Sequence, residues 1–380
     1  MKKLEVFGAT KLKGHIRISG SKNASLPILA ATLLSDKKIS LTNIPRVKDV
    51  ETMIKLLESM GSKVKVSKNK NSLIIQNDKK IRAEASYDLM STMRAGIIVL
   101  GPLLARFGKA RASIPGGCNL GFRPIDIHLE ALKKMGVQYK IVDGYINAKA
   151  KNGLIGAKIK FPKISVGATE NLMIAACLAK GETILSNVAI EPEIKDLSNF
   201  LSSIGAKIIW TGKRQVKIIG VKTFKQSNYK VMFDRIEAGT MLVAGAVNQG
   251  NLKITGIETD ILKTEINVLK KIGAKIIQKK NEIIIQGNKK IKNINIKTSP
   301  YPGFPTDLQS QLMVLLCKAN KKSTIKEDIF ANRFQSVSEL KRMDAKIEVK
   351  GNQAIIEGNT IFKGAQVMAT DLRASASLVL

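Results

Sequence analysis

One thiol sits where the chain looks built to bend and expose its backbone. The segment 114–124 reads IPGGCNLGFRP, placing Cys118 among three glycines with Arg123 five residues on. A cysteine kept for packing normally lies in an apolar run, whereas glycines permit positive φ and close approach of backbone to a ligand. A free thiol titrates near ~8.5, and neighbouring cations or a helix N-terminus lower that value. Cys118 is therefore a candidate nucleophile or general acid. The chain has only two histidines, His15 and His128, and no obvious partner for a cysteine–histidine protease dyad.

Other polar residues gather at the starts of apolar, helix-like runs. GSKNASLPILAATLL places Lys22 and Asn23 just before one run, and STMRAGIIVLG places Arg94 in the first turn of another. KISVGATENL offers Lys163, Ser165 and the backbone of Val166–Gly167. FPTDLQSQL gives Thr306 as an N-cap with Asp307 beside it, and DLRASASLV brings Asp371 and Arg373. Helix N-termini flanked by lysine or arginine are ready anion sites. Several such ends in one chain favour an anionic, phosphorylated substrate.

These positions are organised by an internal repeat. Five segments share a plan of strand, loop, helix ending in glycine, then a strand pair. They begin at Leu41, Ser113, Leu185, Ile254 and Ile325. In the first helix Met53, Leu56, Leu57 and Met60 recur at helical spacing. A glycine follows four of the helices and Asp344 follows the fifth, which predicts left-handed C-terminal caps. A second helix, apolar almost all round, precedes each copy and contains runs such as MIAACLA, TMLVAGAV and LMVLLC. Such helices belong inside a domain, and Cys177 and Cys317 within them read as packing residues. The buried helices start near Ala24, Thr92, Ala168, Arg235, Thr306 and Asp371, at intervals of roughly 65–76 residues. Six starts with five complete units lead us to expect that the sixth unit is truncated at Leu380.

The reading is an α/β protein of βαβαββ units, three to a domain. The first domain spans 22–230; the second comprises 1–21 and 231–380. The short opening strand Leu4–Val6 is expected to pair with the second domain. Comparing the five loops isolates the chemistry, because only the second copy carries a thiol and a glycine-rich insertion.

Composition excludes several classes. A hydrophobic share of 44% with 24% charged residues indicates a soluble globular protein. The longest apolar stretches, such as Gly96–Ala105, are about half the length of a bilayer span. The N-terminus lacks the apolar run of a signal peptide, so a cytoplasmic location is expected. The net charge of +33 raises nucleic-acid binding, yet the lysines are scattered and the chain has one Trp, five Tyr and eleven Phe for stacking. We take the charge as a general bias toward lysine, with nucleic acid an unexpected partner. No Cys/His cluster suits a metal.

Taken together, GSKNASLP, TMRAGI, PGGCNLGFRPIDIH, ISVGAT, EPEIKD, DRIEAGT, FPTDLQ, ANRF and GAQVMATDLRASASLVL resemble the UDP-N-acetylglucosamine enolpyruvyl transferases, in order from Met1 to Leu380. The resemblance implies two inside-out α/β barrel (prism-like) domains that close around substrate, with no cofactor and no metal. It implies transfer of the enolpyruvyl group of phosphoenolpyruvate to the 3′-hydroxyl of UDP-N-acetylglucosamine, the first committed step of peptidoglycan synthesis. In that light Cys118 is the acid that protonates C3, forms a pyruvyl adduct and is the target of fosfomycin. Asp307 takes the hydroxyl proton. Lys22, Arg123, Arg373 and Arg333 suit the phosphate and carboxylate of phosphoenolpyruvate. The uridine-diphosphate sugar falls to Asn23, Arg94, Arg123, Pro124, Ile125, Asp126, Ile127, Lys163, Ile164, Ser165, Val166, Asp307 and Ile329. Ala331 stands where the family usually has an acidic residue. The family chain also continues roughly one helix–strand unit further, with another arginine for phosphoenolpyruvate. The nearest rival is a 5-enolpyruvylshikimate-3-phosphate synthase, expected to lack PGGC and RPIDIH; a basic nucleic-acid-binding protein on the same fold is the rival of a different class.

Overall fold

The computed structural model describes residues 3–8, 11–69, 71–79, 81–114, 116, 125–330, 332–369 and 372–380; Cys118, Arg123 and Pro124 lie outside them. Each repeat forms a strand, an apolar helix, a second strand, an amphipathic helix and a hairpin. In the second repeat these are Glu84–Ala85, a 3-10 turn Arg94–Val99 running into the helix Leu100–Phe107, Lys109–Ser113, Asp126–Lys134, and the pair Gln138–Val142 and Tyr145–Lys149. The first two strands run parallel, which requires the intervening helix as a crossover. The second strand then pairs antiparallel with the last, and the last with the third. All five repeats give a four-stranded sheet in this order.

The chain divides into two compact units, one holding the described residues of Ser19–Phe233 and the other those of Met1–Ile18 and Asp234–Leu380. The first has three sheets and the second two. The sheets are separate and do not join into one closed barrel. The most apolar elements are helices at the centre of a unit, with the sheets outside them, so the layering is inside-out. In the first unit Val166–Ala176 packs against both Lys22–Ala31 and Leu100–Phe107 in a continuous core. In the second, Gln309–Cys317 packs against both Arg235–Val247 and Leu372–Val379. Cys177 and Cys317 are fully buried in these helices. Burial pushes both thiols up, Cys317 to about 12, which leaves them as inert packing groups.

Opening strands are exchanged between the first and fourth repeats. Lys13–Arg17, which leads the first repeat, pairs parallel with Asn251–Thr255 of the fourth. Ser227–Lys230, which leads the fourth, pairs parallel with Ile39–Thr42 of the first. This corrects the expectation for Leu4–Val6, which forms no strand and leaves Leu4 80% exposed. The pairing edge it was expected to fill is occupied by Lys13–Arg17.

The helix caps follow the sequence pattern. Gly61, Gly136, Gly205, Gly273 and Asp344 all have positive φ, from +70° at Asp344 to +110° at Gly273. The left-handed conformation ends each amphipathic helix and returns the chain into the hairpin.

Candidate active site

In the unit of Asp234–Leu380, Asp307 is the centre of a charged group. Arg333 Nη2 donates to Asp307 Oδ1 at 3.0 Å, and Arg373 Nη2 lies 3.3 Å from Oδ2. The Arg333 side chain is 1% exposed and that of Asp307 25%, so the carboxylate is anchored from below while part of it reaches solvent. Two guanidinium groups on opposite oxygens fix the plane of the carboxylate, as charge-assisted bonds do. A carboxylate held this way stays ionised and has a defined direction.

Thr306 behaves differently from the expected N-cap. Pro305 holds the cap position of the 3-10 turn Thr306–Leu308, with no side-chain cap bond. The Thr306 hydroxyl instead donates to Glu327 Oε2 at 2.8 Å. Glu327 is 2% exposed, and its other oxygen accepts the backbone N–H groups of Ile329 at 2.8 Å and Phe330 at 3.2 Å. A buried carboxylate must collect donors, and a charged acceptor wins the hydroxyl over a backbone N–H. Glu327 thus ties the turn bearing Asp307 to the turn bearing Ile329. Sequence reading passed over Glu327, although the acidic pair Glu327–Asp328 just past the strand Ser323–Lys326 is a recognisable signal.

In the other unit, Ser21 caps the helix Lys22–Ala31 by accepting from Ala24 N–H at 3.2 Å. The Lys22 ammonium, in the first turn, donates to Asp49 Oδ2 at 2.9 Å. Asp49 lies in the first turn of Lys48–Ser59, a favoured place for an anion. It too was missed, for an acidic residue there also reads as an ordinary helix start. Asn23, beside Lys22, is half-buried.

Three further groups of expected residues come together in this unit. Arg94 opens the turn Arg94–Val99; Ile125, Asp126 and Ile127 form the start of Asp126–Lys134; and Lys163, Ile164 and Ser165 lead into Val166–Ala176. Ile127 is buried and anchors its helix, whereas Asp126, Lys163 and Val166 are exposed. Ser165 caps by accepting from Ala168 N–H at 3.3 Å. Asn171, fully buried one helical turn further, receives the Gly101 N–H on Oδ1 at 2.7 Å. Its amide nitrogen reaches Ile97 O at 3.3 Å and His128 Nδ1 at 3.0 Å.

Among the described residues no group of three or more His, Cys, Asp or Glu is disposed to hold a metal ion. Nor is any described helix long and apolar enough to cross a membrane.

Comparison with known proteins identifies the family. The family model described as EPSP synthase (3-phosphoshikimate 1-carboxyvinyltransferase) matches residues 6–380. Over the whole chain the sequence is 70% identical to a UDP-N-acetylglucosamine 1-carboxyvinyltransferase of Pelagibacter ubique strain HTCC1062, covering 91% of that protein. It is 49% identical to the enzyme of the same name from Geotalea uraniireducens strain Rf4, covering 90% of it. Among solved structures, the enolpyruvyl transferase NikO from Streptomyces tendae matches with a TM-score of 0.88 at 21% identity, over 98% of this chain and 89% of that one. An EPSP synthase from Acinetobacter baumannii matches with a TM-score of 0.75 at 18% identity, over 98% and 89%. The structures speak for the fold, and the full-length identity speaks for the branch. The chain belongs to the enolpyruvyl transferase family, among the UDP-N-acetylglucosamine 1-carboxyvinyltransferases.

Proposed function

We propose that this protein transfers the enolpyruvyl group of phosphoenolpyruvate to the 3′-hydroxyl of UDP-N-acetylglucosamine, releasing phosphate, and does so in the cytoplasm as the first committed step of peptidoglycan synthesis. The observation that carries the reading is the 70% identity, along the whole chain, to a relative named as a UDP-N-acetylglucosamine 1-carboxyvinyltransferase. The Asp307 group supports the chemistry, since a directed carboxylate is what deprotonation of a sugar hydroxyl needs.

The reaction is an addition followed by an elimination. Cys118 gives its proton to C3 of phosphoenolpyruvate, which makes C2 electrophilic. The sugar oxygen bonds to C2 as its proton passes to Asp307. Return of a C3 proton to the Cys118 thiolate then restores the double bond as the bond from C2 to the phosphate oxygen breaks and phosphate leaves. Lys22, Arg123, Arg373 and Arg333 carry the phosphate and carboxylate charge. Asn23, Arg94, the segment Arg123–Ile127, the segment Lys163–Val166 and Ile329 receive the nucleotide sugar.

Phosphate release is the direct measurement. It should require phosphoenolpyruvate and UDP-N-acetylglucosamine together, and shikimate 3-phosphate should not replace the sugar nucleotide. Release with shikimate 3-phosphate alone as acceptor would move the chain to the synthase reaction named by its family model. General acid catalysis is typically worth ~10²–10⁴ in rate, so Cys118→Ala should lose about that much, while Cys118→Asp retains part because a carboxylic acid still delivers a proton. Fosfomycin should label the wild type and leave Cys118→Asp unmodified. Equal turnover by wild type and Cys118→Ala would refute the thiol's role.

A further inference from the structure

We propose that the buried Asn171–His128 pair is a positioning node for the nucleotide-binding segments, and that it works only with His128 as the neutral Nε2–H tautomer. The inference rests on the acceptor assignment above and adds residues that touch no substrate.

The geometry fixes the chemistry of both side chains. Asn171 receives a backbone N–H, from Gly101, so the atom facing it must be the amide oxygen. The other amide atom faces the Ile97 carbonyl and must be nitrogen. That nitrogen can only donate, so His128 Nδ1, 3.0 Å away, must be an acceptor. The ring proton therefore sits on Nε2. This edge of the ring faces Gly167, where an added Cβ would lie 3.5 Å from Nε2 and 3.4 Å from Cε1.

The surroundings hold the ring in that state. His128 is 7% exposed, and burial followed by the charge of Arg94 lowers its pKa to about 4, against the opposing pull of Asp126. The charged groups acting on it are thus Arg94 from the turn Arg94–Val99 and Asp126 on its own helix, while Val166–Ala176 presents Asn171 and Gly167. A proton on Nδ1 would set donor against donor and part the pair.

What makes the pair more than core packing is the set of segments it joins. His128 lies on the helix whose first residues are Asp126 and Ile127. Asn171 lies on the helix that Lys163–Ser165 lead into, and Ile97 on the turn that Arg94 opens. Three separately assigned contacts with the acceptor converge on one buried amide.

The test uses the full chain and two readouts. With only two histidines, ¹⁵N-histidine labelling gives two rings to assign. One should show the Nε2–H tautomer, unchanged from neutral pH to about pH 5.5, because a pKa near 4 leaves it neutral there. Asn171→Asp replaces the donor with an acceptor and should raise the His128 pKa. By the loss of the amide donor to Ile97 O and His128 Nδ1 it should weaken UDP-N-acetylglucosamine about 10-fold or more in Kd and KM, with the KM for phosphoenolpyruvate within about 2-fold. His128→Leu should behave in the same direction. His128→Asn offers an oxygen near the place of Nδ1 and should stay within about 3-fold of wild type. An Nδ1–H tautomer in the wild type overturns the proposal, as does an equal rise in both KM values. Should an unfolded Asn171→Asp be obtained, the wild-type tautomer and the His128→Leu against His128→Asn contrast still decide. If wild type binds no UDP-N-acetylglucosamine at all, the acceptor assignment itself fails and this role falls with it, whereas a failure confined to the variants leaves that assignment standing.

Discussion

At the scale of single residues, the Asp307 group shows how the carboxylate proposed as proton acceptor is held. Arg333 and Arg373 take opposite oxygens of Asp307, and Glu327 holds the adjacent Thr306 together with the N–H groups of Ile329 and Phe330. Removing the Glu327 carboxylate leaves three donors facing a small cavity, each costing about 1–3 kcal/mol if unpaired. We expect Glu327→Ala to lower kcat by ~10–10² as the Asp307 turn loses its direction, and to lower the melting temperature as well. Glu327→Gln keeps an acceptor for the two N–H groups, and the Thr306 hydroxyl can turn to accept from the new amide, so it should remain within about 5-fold of wild type. Steady-state kinetics beside thermal melts separate the two effects. A folded Glu327→Ala with wild-type kcat would show that Glu327 serves stability alone. Asp307 was legible in FPTDLQ because the motif and the helix start coincide. Glu327 was not, since its partners lie across the fold or in backbone groups that a sequence does not display.

At the scale of elements, the repeat pattern and the caps could be read directly, while the pairing between repeats could not. Apolar spacing identified the helices, and the residue after each amphipathic helix adopts the left-handed conformation that glycine, or Asp344, suggested. The exchange joins Lys13 to Asn251, 238 positions on, and Ile39 to Ser227, 188 positions on, and nothing local distinguishes one short alternating strand from another. Close contact between buried helices is likewise invisible until they are packed. Gly101 is the sharpest instance: a Cβ there would come within 2.2 Å of Asn171 Oδ1 and 2.6 Å of the Asn171 carbonyl oxygen. Both atoms belong to a neighbouring buried helix whose backbone cannot yield locally. Gly101→Ala should therefore cost about 1–3 kcal/mol despite the usual helical preference for alanine, because overpacking outweighs a propensity gain of about 1 kcal/mol. Urea denaturation would measure it, and a stabilised Gly101→Ala would mean that the two helices sit further apart than described.

At the scale of the whole molecule, the charge of +33 was the loudest signal in the sequence and the least specific. Part of it has a structural use. The outermost hairpin strand of every sheet carries lysine, namely Lys63 and Lys65, Lys140, Lys207, Lys275 and Lys279, and Lys350. Lysine on an unpaired edge discourages strand addition from another molecule. Such residues are spread over five separate sheets. The remaining field still acts on small anions. Both proposed substrates are multiply charged, and a cationic protein raises their local concentration and encounter rate at low ionic strength. We therefore expect kcat/KM for UDP-N-acetylglucosamine to fall about 3- to 10-fold as the Debye length shrinks from roughly 30 Å at 0.01 M salt to about 3 Å at 1 M. The value of kcat at saturating substrate should change far less, because the Arg333–Asp307 pair lies mostly beneath the surface and is screened less. Initial rates across a potassium chloride series, with viscosity held constant, would show this split. A kcat/KM independent of salt would mean that the excess lysines face away from the path of the substrates and serve the sheet edges alone.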